Sequence, residues 1–162
     1  MAYIYHNGKL VLVSCLVLNE NKELLLLYRT KHKQWETPGG KVEEHECLDP
    51  HSPTQKELEQ ACIREVFEEL GDGIVLSDFT YFGAVESPMP SGSLALIHKF
   101  MTRIVSGTPR VNEPKTFSDL QYISIDVLQD YPLVPDLYMI LPHIKKWNLT
   151  THEFNLQSKD IR

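Results

Sequence analysis

The sequence predicts an α/β fold in which a mixed β-sheet lies between helices. Three observations carry that expectation. Two apolar runs near the N-terminus, Leu10 to Leu18 and Leu24 to Tyr28, are rich in strand-forming residues. A helical period of apolar residues runs from Gln55 to Leu70, with further extended segments after it. A second helix pattern opens at Pro135. Strands flanking a central helix, with another helix near the end, build a sheet that is covered on its faces. The alternation is too irregular for a purely parallel wound sheet.

The first two runs, separated by the turn Asn19-Glu20-Asn21-Lys22, are expected to pair as a hairpin. Residues 30–40 read as a polar loop that holds Trp35 and ends in the turn Pro38-Gly39-Gly40. Residues 41–53 read as irregular, because Pro50 and Pro53 resist both helix and central strand. Thr54 suits an N-cap, with Glu57 as its capping-box partner. Leu58, Cys62, Ile63, Val66, Phe67 and Leu70 form the apolar stripe of the helix, and Gly71 suits its end. An extended segment from Ile74 to Val85 is expected to break near Ser77-Asp78, before a loop at 87–92. Strands over Leu94–Val105 and Leu120–Ile123 follow, then a helical turn at Asp126-Val127-Leu128. The last helix is expected to reach Trp147 with a kink at Pro142, leaving a polar tail over residues 149–162. Residues 1–148 are read as one catalytic domain, as the chain length suggests.

The formal net charge of −6 argues against a protein built to grip an extended nucleic-acid backbone. It leaves room for a small anionic substrate if metal ions supply positive charge. Cys15, Cys47 and Cys62 show no zinc-like spacing, and their odd number fits a reducing compartment. No signal peptide or long apolar span is read, so the expectation is a cytoplasmic chain without a membrane segment. Exposed sheet edges leave room for a homodimer.

The chemistry concentrates on the first helix. Residues three and four apart on a helix are neighbours, so Glu65, Glu68 and Glu69 share one patch. A hard divalent cation would turn their repulsion into binding. The patch lies near the helix C-terminus, where the macrodipole disfavours each acid by roughly 0.3–1 kcal/mol. Such a local conflict is a mark of function. Arg64 reaches Glu68 at i,i+4 and can hold it. The alternative is an ordinary solvated helix face. The Pro38-Gly39-Gly40 turn weighs against it, since glycines let backbone approach a ligand closely.

Gly40, Glu46 and the run Arg64-Glu65-Val66-Phe67-Glu68-Glu69-Leu70-Gly71 resemble the signature of the Nudix hydrolases. Here the stretch from Cys47 to Ile63 carries a ten-residue insertion relative to that signature. Asp72 stands where the family usually has an aliphatic residue, a packing role that falls to Ile74. The similarity continues through Asn112-Glu113-Pro114 and Tyr122 to Leu128, with Tyr122 in place of a frequent Trp. The resemblance implies an α/β/α sandwich around a mixed β-sheet. It also implies magnesium-dependent hydrolysis, with manganese a substitute, of a nucleoside diphosphate linked to another group. The implied metal set is Glu65, Glu68, Glu69, the Gly39 carbonyl and Glu113. The implied catalytic set is Arg64 with Glu65 as base or as pure metal ligand, and Glu113 as the distal base candidate. Glu46 is implied to order the loop before the helix, and the insertion to bulge outward.

Arg29 is a candidate for a phosphate contact, against a surface salt bridge, and Trp35 for base stacking, against packing. Gly40 joins them as a substrate-side residue. His98, in an apolar strand, reads as structural. Three functions compete: a pyrophosphohydrolase acting on a nucleotide, a degenerate nucleotide-binding or regulatory module on the same fold, and a non-enzymatic interaction protein. Intact Glu65, Glu68 and Glu69 favour the first over the second, and the Glu113-Pro114 segment, similar to members that act on nucleoside triphosphates, favours that substrate class.

Overall fold

The computed structural model describes residues 2–149. The polar tail expected beyond the last helix therefore lies, from residue 150 on, outside the described residues. The chain begins with β1 (Tyr5–His6), β2 (Lys9–Val17), β3 (Glu23–Arg29), β4 (Gln34–Glu36) and β5 (Gly39–Lys41). A 3-10 turn at Glu44–Glu46 precedes α1 (Gln55–Leu70). Then come β6 (Ile74–Leu76), β7 (Thr80–Pro88), β8 (Leu94–Thr102), β9 (Ile104–Gly107) and β10 (Phe117–Ser124). A 3-10 turn at Ile125–Asp130 leads into α2 (Pro135–Leu149), which contains Pro142 within its helix.

β2 runs parallel to β8 and antiparallel to β1 and β5, and β7 lies outside β8, so this sheet is mixed. A second, antiparallel sheet has the order β10-β3-β4. The expected hairpin of the first two runs does not form: β2 and β3 share only the Leu18–Leu24 bridge and belong to different sheets. The reason is double-sided burial. Val11, Val13, Cys15 and Val17 of β2 and Leu25 and Leu27 of β3 join the core beneath α1. Leu16, Leu24 and Leu26 join a second core beneath α2. Continuous apolar runs of this kind belong to interior strands, whose partners can be remote in sequence. The two helices therefore cover opposite sides of an α/β/α sandwich. Ile74 is buried under α1, in the packing role expected of it.

The Pro38-Gly39-Gly40 segment is strand rather than turn from Gly39 onward: Gly39 and Gly40 pair with Ser14 and Val13. Space requires these glycines. A Cβ on Gly39 would sit 2.2 Å from the Val13 carbonyl oxygen. The expected loop at 30–40 also contains β4, and β7 continues to Pro88.

The stretch between Glu46 and Arg64 keeps its two ends together. Cys47 is buried in the α1 core, while Leu48 is 97% exposed at the start of the bulge. Glu57 accepts from the Leu48 N–H at 2.8 Å with one oxygen and from the Thr54 N–H at 2.9 Å with the other. The Thr54 hydroxyl accepts from the Glu57 N–H at 3.1 Å, which completes the capping box. Replacement T54A should cost about 1 kcal/mol of stability. Urea denaturation measures it; an unchanged midpoint would show that the cap does not hold the bulge to the helix.

Candidate active site

Packing of Leu58, Ala61, Cys62, Val66 and Leu70 against the sheet sets the rotation of α1. That rotation presses Glu65 and Glu69 against β5. Glu69 is only 4% exposed and accepts a hydrogen bond from the Gly39 N–H at 2.8 Å. A Cβ on Gly40 would fall 2.5 Å from the Glu65 carboxyl group. Gly40 is thus a gap that Glu65 fills, while Gly39 packs against β2 and offers its N–H to Glu69.

Arg64 organises the cluster. Its Nε and Nη2 donate to the two oxygens of Glu46 at 2.8 and 2.7 Å. Nη1 donates to Glu65 at 2.9 Å and to Glu68 at 3.2 Å, and Nη2 also donates to the Lys41 carbonyl at 3.1 Å. Glu46 in turn accepts from the Glu43 N–H at 2.9 Å. Glu46 is therefore paired with Arg64 across 18 positions of the chain.

Glu113 arrives by a different route. The last turn of a helix leaves carbonyls without intrahelical partners. Asn112 meets two of them, donating from its backbone to the Glu69 carbonyl at 3.0 Å and from Nδ2 to the Glu68 carbonyl at 2.9 Å. The Arg110 N–H donates to the Leu70 carbonyl at 3.0 Å. These bonds bring Glu113 near enough to feel the charges of Glu68 and Arg29.

Arg29 lies beside the site, but its guanidinium donates to Glu36 through Nε and Nη2 at 2.8 and 2.7 Å, and it stacks over Phe117. The salt-bridge alternative is the arrangement observed. For Trp35 the packing alternative is the arrangement observed: it is 8% exposed and packs edge-on against Tyr28 and Tyr131 in the α2 core. β4 places it there because it alternates with the outward-facing Glu36 and Gln34. His98 shares a hydrogen bond with the Tyr81 hydroxyl at 2.9 Å, a structural role. Sequence reasoning missed Glu36, which acts electrostatically on Glu69. A charged residue two positions before Pro38 was the available signal.

The carboxylates press on one another. Burial raises the Glu65 pKa; Arg64 opposes that, and Glu68 and Glu113 add to it. Burial holds Glu69 well above the usual carboxylate range, against the Gly39 N–H and with the charges of Glu36, Glu65 and Glu113. Burial and Glu68 raise Glu113, while Arg29 draws it down. Glu46 goes the other way: burial works against its charge, but the Arg64 bonds and the Glu43 N–H outweigh burial. Among the described residues, no three His, Cys, Asp or Glu side chains already stand in a metal-ligating group. The donor set nevertheless fits a hard cation: all-oxygen ligands, negative charge in excess, and two buried carboxylates held at a cost that a cation would relieve.

A cavity of about 600 Å³ opens along Gly39 and Gly40. Arg29, Glu36 and Asp136 line it with apolar Leu12, Met89 and Ile97. A groove of about 760 Å³ runs along the opposite side of α1, past Lys56, Ile63 and Phe67; Glu65, Glu68, Glu69 and Glu113 line neither space, and the first cavity meets them only through Gly39 and Gly40. No helix among the described residues is long and apolar enough to cross a membrane.

The NUDIX domain model matches residues 8–144. The chain therefore belongs to the Nudix family. It is similar to a MutT NUDIX hydrolase from Burkholderia pseudomallei at 28% identity, over 83% of this chain and 96% of that one, with a TM-score of 0.67. Its fold is shared by the NUDIX domain of Shewanella oneidensis NrtR, solved with ADP ribose, at 17% identity over 88% and 89% of the chains and a TM-score of 0.66. The MutT protein from Methanosarcina mazei Go1 is also similar in fold, at 22% identity over 86% and 95% and a TM-score of 0.64. No curated protein sequence matches the chain.

The raised pKa of Glu69 has a consequence for stability. A carboxyl whose folded pKa lies above its unfolded value of about 4.3 stabilises the fold below that pH, and the contribution is lost as pH rises. Without divalent cations, E69Q should therefore melt at a higher temperature than the wild type near neutral pH, with the gap closing toward pH 4. Melting curves in chelator across that range test this; a variant less stable at every pH would contradict it.

Proposed function

We propose that this Nudix enzyme hydrolyses a diphosphate linkage in a nucleoside diphosphate derivative, with nucleoside triphosphates and related nucleotides as the first class to test. One observation carries the reading: the half-buried Glu65 and the buried Glu69 stand against Gly40 and Gly39, and the cavity opens along the same two residues. The phosphates would lie at the carboxylates, with the rest of the nucleotide in the apolar cavity. The similarity to MutT-type hydrolases supports the same class.

Glu65, Glu68 and Glu69, with the Gly39 carbonyl and Glu113, are the residues that would hold magnesium, manganese being a substitute. When bound, such an ion neutralises charge on phosphate oxygens and makes a bound water more acidic. Glu65 is the proposed proton acceptor, since burial brings its pKa closer to neutrality, as a general base requires. Glu113, raised for similar reasons and nearer solvent, is the second candidate. Arg64 fixes the orientation of Glu65 and Glu68. Arg29 lines the cavity and would meet a phosphate by exchanging its Glu36 contact. The cytoplasm is the proposed compartment, in keeping with three free, buried cysteines.

The second reading is a nucleotide-binding or regulatory module that has lost catalysis. The hydrogen bonds that already engage Glu65, Glu68 and Glu69 favour it. A panel of nucleotides that includes ADP-ribose separates the two, with magnesium-dependent release of phosphate, pyrophosphate or nucleoside monophosphate as the readout. The wild type should turn over at least one member, and the double variant E68Q/E69Q should be slower by at least about 100-fold, as expected for lost electrostatic stabilisation. Full activity in the double variant would sink the proposed metal set. A wild type that binds the nucleotides but hydrolyses none would establish the second reading.

A further inference from the structure

Lys99 is a fully buried charged side chain, at 0% exposure in the middle of β8. A buried ammonium is costly, and a well-packed apolar residue in its place is often neutral or stabilising. Its retention calls for a reason besides stability. The Lys99 Nζ donates to Asp136, in the first turn of α2, and to the Ser14 hydroxyl at 3.0 Å. Ser14 shares a hydrogen bond with the Thr37 hydroxyl at 2.8 Å. Ser14 is also the register partner of Lys99 on one side and of Gly39 on the other.

The chain of contacts crosses the sheet. Asp136 forms part of the cavity wall on the α2 side. Lys99, Ser14 and Thr37 are all buried beneath it. Thr37 leads through Pro38 to Gly39, whose N–H donates to Glu69 on the α1 side. Every link is a hydrogen bond, a register pair or two covalent steps, and of the side chains only the half-buried Asp136 reaches the cavity, while Lys99, Ser14 and Thr37 are buried. Fully satisfied buried networks are stiff, and removing one hydroxyl leaves another polar group unpaired.

We propose that Lys99 is a positioning residue for the acidic platform. Through Ser14 and Thr37 it fixes the Gly39 backbone that holds Glu69, and through Asp136 it ties that backbone to the cavity wall. The proposal rests on the reading of Glu69 as part of the metal-binding set. It adds that the cavity and the platform are set by one buried cation, so that a change at Lys99 alters the platform without touching it.

The test uses K99M, which removes the charge and donors at similar volume, and T37V, which removes one hydroxyl and is the milder change for the fold. Three readouts apply to each full-length variant: exchange of the Gly39 amide by NMR, calorimetric affinity for Mn²⁺, and kcat and KM on the best nucleotide of the panel. In both variants Gly39 exchange should rise and Mn²⁺ affinity and kcat should each fall about tenfold, as expected for coupling through a shared network. K99M/T37V should be no worse than K99M alone, because both break one chain. A folded T37V with wild-type Gly39 exchange and Mn²⁺ affinity would overturn the proposal, as would strictly additive effects in the double variant. A wild type that binds no Mn²⁺ would sink the underlying reading of Glu69 instead, and Gly39 exchange in T37V would still decide whether the buried chain positions that backbone.

Discussion

The bond between Arg64 and Glu46 is the constraint on which the rest of the site depends. It is bidentate and largely shielded from solvent, with Glu46 anchored by the Glu43 N–H. The same guanidinium reaches Glu65, Glu68 and the Lys41 carbonyl. One side chain therefore joins the segment after β5 to the helix that carries the acids. Bidentate pairing makes this geometry specific as well as strong, and lysine could not reproduce it. Because the clamp closes the chain on itself, the segment between the buried Cys47 and α1 can bulge outward. Glu57 staples that bulge to the helix, and doubling such a loop costs only about 0.6 kcal/mol.

Around that clamp the molecule accumulates local conflicts. Acids stand at the C-terminal end of α1, against the macrodipole. Glu69 is buried with a single backbone donor. Gly40 gives up side-chain packing to let the Glu65 carboxylate approach the strand. Each is unfavourable alone, and together they converge on one spot where a divalent cation would satisfy them all. The buried Lys99 adds a further conflict two strands away in the same sheet, on β8.

Much of this was legible in the sequence, for identifiable physical reasons. Thr54 and Glu57 mark the helix start through local hydrogen bonds, and the apolar stripe fixes the buried face. The glutamate spacing alone places Glu65, Glu68 and Glu69 in one patch. What escaped was non-local. The runs at β2 and β3 look like hairpin partners because they are adjacent, yet burial on both faces sends them to different sheets. The parallel pairing of β2 with β8 joins residues some eighty positions apart, and no local pattern encodes it. The choice between stacking and packing for Trp35 stayed open for the same reason: its pocket is built by Tyr28 and Tyr131 from other elements. Lys99 was visible as a charge inside an apolar strand, but its partners Ser14 and Asp136 emerge only from the fold.

The central claim is that the buried carboxylates of α1 form a cation platform. A crystal structure grown with magnesium and a slowly hydrolysed nucleotide tests it most directly. The account predicts at least one ion with oxygens of Glu65 and Glu69 at about 2.1 Å, the magnesium–oxygen distance, and the nucleotide's phosphates against that ion. A well-ordered complex in which Glu69 keeps only its Gly39 contact, with the phosphates bound elsewhere and no ion at the acids, would contradict it.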